Sequence, residues 1–240
     1  MNRPFVLLFV VCAACSSAQA DFTYRETTRI RGSKRPVSLT KIVKGDRMAE
    51  VAKDHIAVVD LDKETITQID LLKKTYFVLT FAQMKQTLNA VAPQVKIERP
   101  AVQTGRRKNI GVLAVKENIL TLTLEGRATV TVDFWVATAP GYDEVRSFQR
   151  KLIEKLGYGF GSGLVVNEFR DAVAEQLSKI DGAPVQSITK VISMPGGEPI
   201  AEAATDLSDF LSGPADASKF EAPQGFKQIQ PDPRQIVGAR

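Results

Sequence analysis

Short apolar runs separated by polar turns fill the stretch from residue 37 to residue 80. None of these runs is long enough for an ordinary helix, and three intervening segments, 44–46, 60–64 and 72–74, have the composition of turns. Short strands separated by such turns are typical of an antiparallel meander. The pattern therefore predicts consecutive strands at the centre of the protein, which the rest of the chain extends or covers.

Alternation of apolar and polar residues predicts further strands on both sides of the meander. Near the start, Phe22, Tyr24 and Ile30 share one parity, while threonine and arginine residues occupy the other. Two alternating runs, 120–124 and 130–136, flank a Glu-Gly-Arg turn. They predict a hairpin with one apolar face and one polar face.

Three later stretches have the spacing of helix faces instead. Their apolar residues recur every three or four positions, which places them on one side of a helix. We expect helices over residues 80–91, 143–156 and 164–179. The glycine-rich string 157–163 between the last two matches no phosphate-binding motif and is expected to be a hinge.

Four segments complete the predicted organisation of the chain. The polar stretch 93–109 is expected to be a long exposed loop, and 185–192 a late strand. Residues 195–218 have the composition of a linker, with a short helix near 206–211. Two aromatic residues around a turn predict that 219–229 docks back onto the domain.

The first twenty residues have the pattern of a secretory signal peptide. A basic start and a short apolar run precede Ala18 and Ala20, which fit a signal-peptidase site. We therefore expect cleavage after Ala20 and a periplasmic or secreted mature protein. The small residues before Cys15 leave a lipoprotein site as the alternative. Helical membrane spans need ~20 apolar residues, and no transmembrane segment is predicted in the mature chain.

These patterns divide the chain into a signal peptide (1–20), a folded domain (21–194) and a tail rich in Pro, Gly and Ala (195–240). The hydrophobic fraction of 44% and the charged fraction of 25% are those of a globular protein. The formal charge of +5 is spread over the whole chain. We interpret it as a solvated surface, the alternative being a patch for anionic lipid or nucleic acid. No nucleic-acid partner is expected.

Motifs for catalysis and metal binding are missing from the sequence. His55 is the only histidine, both cysteines lie in the predicted signal peptide, and no nucleophile or metalloprotease motif is present. Asp60 and Asp62 are expected to serve a turn rather than acid–base chemistry. Trp135 shares the parity of the polar residues in its strand. Its side chain is expected either to cover the edge of the sheet or to contact a ligand. We therefore expect no enzyme, no catalytic residue, no metal and no cofactor.

The order of several short motifs resembles the superfamily of the periplasmic lipoprotein carrier and its outer-membrane receptor (LolA/LolB-like), in particular an uncharacterised exported branch of it. The motifs span nearly all of the mature chain: Ile42–Met48, Lys73–Phe77, Val132–Ala137, Pro140–Gly141 and Phe220–Phe226. The resemblance implies an α+β fold, in which a strongly bent, half-open antiparallel barrel is closed on one side by a helical lid. It also implies an apolar cavity for acyl chains or another hydrophobic ligand.

In such a barrel the inward parity of the strands serves both the core and the cavity. The helix that begins near Phe81 is the natural lid, and methionine adapts to variable apolar ligands. We predict that five residues line one apolar cavity: Tyr24, Phe81, Met84, Leu122 and Phe134. The alternative is that these residues simply fill the core.

The expected function is that of an exported, non-enzymatic binding module. Its ligand would be a lipid, an acylated protein or another hydrophobic molecule, with a lipoprotein as one partner. The alternative is a structural or sensor protein of the cell envelope that uses the same fold for contacts with another envelope protein.

Overall fold

The computed structural model describes residues 21–89, 96–124, 128–156, 172–173, 175–177, 179–193 and 197–231. The strands are β1 (Phe22–Ile30), β2 (Val37–Lys44), β3 (Arg47–Val51), β4 (His55–Asp60), β5 (Thr65–Asp70), β6 (Thr75–Thr80), β7 (Lys96–Ile110), β8 (Leu113–Leu124), β9 (Ala128–Ala137), β10 (Ala183–Ile192), β11 (Pro199–Ser212) and β12 (Lys227–Gln228). The helices are α1 (Phe81–Asn89), α2 (Tyr142–Leu156) and a 3-10 helix (Ala217–Phe220). The predicted signal peptide and glycine hinge lie outside the described residues.

All of these strands belong to one sheet with the order β12-β6-β5-β4-β3-β2-β1-β11-β10-β9-β8-β7. Neighbouring strands are antiparallel, except that β12 runs parallel to β6. The order ends at β12 on one side and at β7 on the other, so the described strands form an open sheet. The predicted antiparallel sheet is confirmed apart from β12, but the strands do not close into a barrel.

Hairpins join β1 to β6 in succession, as the apolar pattern predicts. The connections after β2 and β4, residues 45–46 and 61–64, lie at one edge of the sheet, which we call the upper edge. The connections after β1, β3 and β5 lie at the opposite, lower edge and comprise residues 31–36, 52–54 and 71–74. Because alternate turns of a meander share an edge, residues far apart in sequence meet there.

One face of the meander carries a continuous apolar row. The register aligns Phe22, Val43, Met48, Val59 and Ile66 across β1 to β5, and all five are buried. We call this the inner face, and the opposite one the outer face. Directly opposed side chains in antiparallel strands stabilise each other, so this row fixes the register of the meander.

The predicted helices 80–91 and 143–156 are confirmed as α1 and α2, which lie at the upper edge. The Nζ of Lys151 on α2 lies 2.5 Å from Asp46 Oδ1, in the turn after β2. Lys155 Nζ donates to the carbonyl of Leu61, in the turn after β4, at 2.9 Å. Of the helix predicted over 164–179, residues 172–173 and 175–177 are described and helical.

The buried apolar side chains form three clusters. The first contains the inner row, Tyr24, Phe81 and the apolar side of α2, and the second is built on β8, β9 and β10. The third lies on the outer face of β2 to β5, where Phe220 packs with Ile42 and Val58. No described helix is long and apolar enough to cross a membrane.

The C-terminal segment covers this third cluster. The Arg47 guanidinium lies 4.7 Å from the centre of the Phe220 ring. Phe226 packs against the same cluster, and β12 then pairs with β6. Residues 219–229, for which the sequence predicts docking, thus contact the outer face and one end of the sheet.

The loop predicted over 93–109 is wrong, because residues 96–110 form β7. This strand lies at one end of the sheet and pairs with β8 through a register broken at three places. Pro100 removes a backbone donor and Gly105 adopts a φ of +84°. These features disrupt the two-residue period on which strand prediction depends.

The linker predicted over 195–218, with a short helix at 206–211, is also wrong. Residues 199–212 form β11, which lies between β1 and β10 near the middle of the sheet. A domain boundary at residue 194 would therefore remove a central strand. Small alanine residues and a break near Asp209, whose φ is +55°, hide the alternation in this strand.

Candidate functional site

Three charged side chains form a buried ionic triad on the inner face of the meander. Lys41 on β2 stands directly opposite Glu50 on β3 and Tyr24 on β1. Its Nζ lies 2.9 Å from Glu26 Oε2 and 2.8 Å from Glu50 Oε1. Lys41 and Glu50 thus occupy the row next to the apolar inner row, and Glu26 lies in the row after it, opposite Leu39. The triad links three neighbouring strands.

The strand parity explains why these charges face inward. Lys41 lies between Leu39 and Val43 in the alternation of β2, and both of those residues are buried. Glu26 follows Tyr24 on the inward parity of β1, and Glu50 follows Met48 on that of β3. The apolar neighbours fix the register of the strands. Because side chains alternate between the two faces, the charged residues must then point to the inner face.

The triad is closed to solvent and does not balance its own charge. The side-chain exposures of Lys41, Glu26 and Glu50 are 2%, 9% and 11%. Glu26 Oε1 is buried and accepts no hydrogen bond, whereas Glu50 Oε1 has the Lys41 ammonium 2.8 Å away. Two carboxylates therefore share one ammonium group, in surroundings where an unpaired charge is costly.

Burial and mutual charge shift the pKa values of this group. Burial raises the pKa of the Glu26 carboxyl, against the opposing effect of Lys41. Burial by itself lowers the pKa of Lys41, but Glu26 and Glu50 together raise it well above its ordinary value. Lys41 therefore remains an ammonium ion, and Glu26 keeps its proton to a higher pH than an ordinary glutamic acid does.

Aromatic rings form a wall beside the triad. Tyr24 and Tyr142 meet edge to face with ring centres 5.9 Å apart, and Phe22 and Phe210 complete the group. Burial raises the pKa of both tyrosines. Both phenols therefore stay protonated, and Tyr142 ties the start of α2 to β1.

A polar strip continues from the triad along the inner face. Thr28 on β1 and Thr205 on β11 stand opposite each other, with their hydroxyl oxygens 3.0 Å apart. Ser187 on β10 is the next residue in the same row. The strip runs between the first apolar cluster and the second, so the inner face has two apolar areas separated by polar groups.

The structure distributes the five predicted cavity residues over both areas. Tyr24, Phe81 and the partly buried Met84 belong to the first cluster, whereas Leu122 and Phe134 belong to the second. The register places Tyr24, Leu122 and Phe134 on the inner face. That all five line one cavity stays a prediction.

Trp135 stands in a row with the polar residues Glu117 and Gln186, as its parity predicts, and its ring also belongs to the first apolar cluster. The Nζ of Lys108 lies 4.0 Å from the ring centre, and the tryptophan is only 9% exposed. Lys108 also donates to Gln186 at 2.8 Å, while Arg106 pairs with the fully buried Glu117. The ring is thus covered by the edge strand β7.

The remaining candidate residues have local structural contacts. His55 Nδ1 lies 2.8 Å from Asp54 Oδ1 on the surface. Asp60 accepts a hydrogen bond from the Lys63 amide at 2.9 Å, which is the turn role that the sequence predicts. Within the part of the chain that the structure describes, no group of three His, Cys, Asp or Glu side chains is placed to hold a metal ion.

Comparison with known proteins assigns the chain to no family. No protein-family model and no curated protein matches it. Two crystal forms of PNGF-II align over 91% and 85% of this chain, with TM-scores of 0.41 and 0.37 and identities of 10% and 11%. The chain spans about a third of that protein, 32% and 30% of its length.

A DUF1329 family protein from Desulfovibrio piger is similar at a TM-score of 0.31 and 7% identity, covering 86% of this chain and 91% of that one. Similarities at this level support no argument about family or activity. The LolA/LolB-like resemblance therefore stays a prediction.

The sequence analysis missed the triad, although the signal was present. Glu26 shares the parity of Phe22 and Tyr24, and Lys41 shares that of Leu39 and Val43. A charged residue on an apolar parity is the mark of a buried charge. That two carboxylates and one lysine meet could not be seen without the register between the strands.

Proposed function

We propose that the protein is an exported, non-enzymatic binding module for an amphipathic ligand, a molecule with an apolar body and a polar head. The observation that carries the proposal is the composition of the inner face. Its two apolar clusters are separated by a polar strip that includes the buried triad. An acyl chain would pack against an apolar cluster, and its head group would lie near the strip.

The helices at the upper edge would form the entrance through which such a ligand reaches the inner face. In this proposal the open sheet curves around α2 as a half-open barrel, and α1 acts as the lid. Phe81 is buried, but Met84, one turn later, is only partly buried at the margin of the first cluster. Methionine at an entrance adapts to ligands of different shape. This arrangement agrees with the fold implied by the LolA/LolB-like resemblance.

Binding of a fluorescent fatty acid tests the proposal. The wild-type protein should bind the probe, and Met84→Glu should abolish binding because it places a charge at the entrance. Lys85→Glu is the matched control, since it adds the same side chain at an exposed position of α1. Both variants should keep the wild-type circular dichroism spectrum.

Two results would contradict the proposal. If the wild type binds no probe, and protein purified from its native host carries no extractable lipid, the inner face is only a core. If Met84→Glu folds normally and binds as the wild type does, α1 is not the entrance. A catalysed turnover that a point mutation abolishes would contradict the non-enzymatic part.

A second candidate function is that of an envelope structural or sensor protein. The edge strand β7 favours it, because residues 102–109 are all exposed along one end of the sheet. Edge strands present free backbone groups to a partner. A stoichiometric protein partner that co-purifies in the absence of lipid would favour this function over the first.

Export is part of both proposals and has its own test. Cleavage after Ala20 would give a mature protein that begins with Asp21, which N-terminal sequencing detects. A lipid-modified N-terminal Cys15 would identify a lipoprotein instead. Recovery of the uncleaved chain only from the cytoplasm would contradict export.

A further inference from the structure

The fold gathers basic residues from three separate turns at the lower edge of the meander. These are the turns after β1, β3 and β5, and together they carry six cations: Arg31, Lys34, Arg35, Lys53, Lys73 and Lys74. We call this group the basic edge. The cations are spread over more than forty positions of the chain, so their grouping is visible only in the fold.

A contact between the second and third turns shows that these two form one surface. The amide of Leu71, in the third turn, donates to the carbonyl of Asp54, in the second, at 2.9 Å. Strands lie about 4.8 Å apart, so successive turns on one edge are roughly 10 Å apart. The first turn extends beyond the others, because β1 and β2 remain paired down to Thr28 and Val37.

Few carboxylates compensate this charge. Asp54 and Asp70 flank the second and third turns, and Glu202 on β11 lies beside the first, where its carbonyl accepts from the Arg31 amide at 2.9 Å. The six cations thus exceed these carboxylates by three. Asp54 is bound to His55, while Asp70 accepts bonds from the amides of Leu72 and Lys73 and pairs with the Lys73 ammonium. The other five cations of the basic edge form no ion pair with any described residue.

The upper edge differs in this respect. Its turns pair their charges across the fold, as Lys151 does with Asp46 and Lys155 with Glu64. The described turns of the upper edge therefore lack the unpaired positive charge of the basic edge. An apolar side chain also stands in the middle of the basic edge, since Leu72 at the tip of the third turn is 78% exposed.

We propose that the basic edge docks on the surface of a bilayer that contains anionic phospholipid. Unpaired lysine and arginine side chains would lie among the phosphate groups, and Leu72 would enter the boundary between head groups and acyl chains. A leucine surrounded by cations matches this surface, which is anionic outside and apolar beneath. This inference does not depend on the ligand of the inner face.

Vesicle sedimentation tests the inference on the full-length mature chain. The probes are vesicles of phosphatidylcholine alone and of equal parts phosphatidylcholine and phosphatidylglycerol. The protein should bind only the second kind, and added salt should weaken binding because the Debye length shortens. Removing two cations with Lys34→Gln and Lys53→Gln should lower the partition coefficient about fivefold each, or about 25-fold together.

The control variant removes the same charge elsewhere. Lys63→Gln with Lys85→Gln takes two exposed cations from the upper edge and should leave partitioning near the wild-type value. Leu72→Ser should weaken binding but keep its salt dependence. These substitutions are all at exposed positions, so the folded state should survive them.

Three outcomes would overturn the proposal. The first is no binding to phosphatidylglycerol vesicles, or equal binding to vesicles without it. The second is an equal loss in the two double variants, which would mean that net charge alone drives binding. The third is binding to a heparin column that depends on Lys34 and Lys53, without binding to vesicles, which would identify a soluble polyanion as the partner.

Discussion

Replacing Lys41 with methionine should lower the free energy of unfolding by about 3–5 kcal/mol, the usual cost of removing one partner from a buried ion pair. Methionine fills a similar volume, so the change tests charge rather than packing. Its effect should be large because both carboxylates of the triad lose their only cation among the described residues. Removing an ammonium group from the protein surface would lower the free energy of unfolding far less.

The structure allows the size of the effect to be worked out. Lys41 Nζ lies 2.9 Å from Glu26 and 2.8 Å from Glu50. At an effective dielectric constant of about 20, a contact of this length is worth roughly 6 kcal/mol. Desolvation offsets much of that, since each buried ion loses several kcal/mol of hydration. Removing the ammonium leaves the carboxylates desolvated without the attraction.

Two further variants separate this explanation from others. Lys44→Met changes the same residue type on the same strand, but Lys44 is 40% exposed and pairs with Asp21 at 3.1 Å. It should cost less than about 1 kcal/mol. The variant Glu26→Gln, Lys41→Met, Glu50→Gln removes all three charges together. It should recover at least half of the loss caused by Lys41→Met alone.

Urea unfolding gives the measurement. The fluorescence of Trp135, the only tryptophan, and circular dichroism should report one transition with an unchanged slope. A loss of 3–5 kcal/mol corresponds to a fall in Tm of roughly 6–20 °C for a protein of this size. If Lys41→Met costs no more than Lys44→Met, the triad is not the buried, paired group described above.

Three other predictions concern pH, backbone strain and the outer face. Burial raises the pKa of the Glu26 carboxyl. The protonated carboxyl therefore stabilises the fold below its ordinary pKa of about 4.3, and this stability is lost as the pH rises through the pKa of the folded protein. In a plot of urea midpoint against pH, Glu26→Gln should remove this fall in stability, and an unchanged fall would contradict the assignment. Gly141 has a φ of +87°, and a methyl group there would lie 2.5 Å from Ser212 Oγ. Gly141→Ala should therefore lower the free energy of unfolding by about 3 kcal/mol or more, whereas Gly45→Ala, in open space, should lower it by about 1–2 kcal/mol. Equal urea midpoints for the two variants would refute this prediction. Phe220→Ala should destabilise the third cluster by about 3–5 kcal/mol and speed limited proteolysis of the C-terminal segment, whereas an unchanged cleavage rate would show that the segment is held by other contacts.

The sequence predicts the elements in which one face is apolar and the other polar. The meander from β2 to β6, the hairpin of β8 and β9, and helices α1 and α2 all follow from such patterns. In each of them the burial of one side leaves a regular period of two or of three to four residues. Local composition is enough to find elements of this kind.

The strands β7 and β11 show where this reasoning stops. Bulges and Pro100 interrupt the period of β7, while β11 is built from small residues whose burial depends on its neighbours. The same limit applies to the triad. Glu26, Lys41 and Glu50 are each recognisable as misplaced charges, but their meeting depends on the register of three strands.

The pairing of β1 with β11 has a consequence for how this protein folds. Phe22 lies opposite Ser212 and Ile30 opposite Ala203. The residues of β11 that pair with β1 are therefore translated some 170 residues or more after it. Closing so large a loop is entropically costly, and folding rates fall as contacting residues lie further apart in sequence. The meander can form hairpins early, but the two halves of the sheet join only after residue 212 has emerged. A nascent chain that is shorter than this presents β1 with a bare edge, which makes it a substrate for chaperones and a candidate for aggregation.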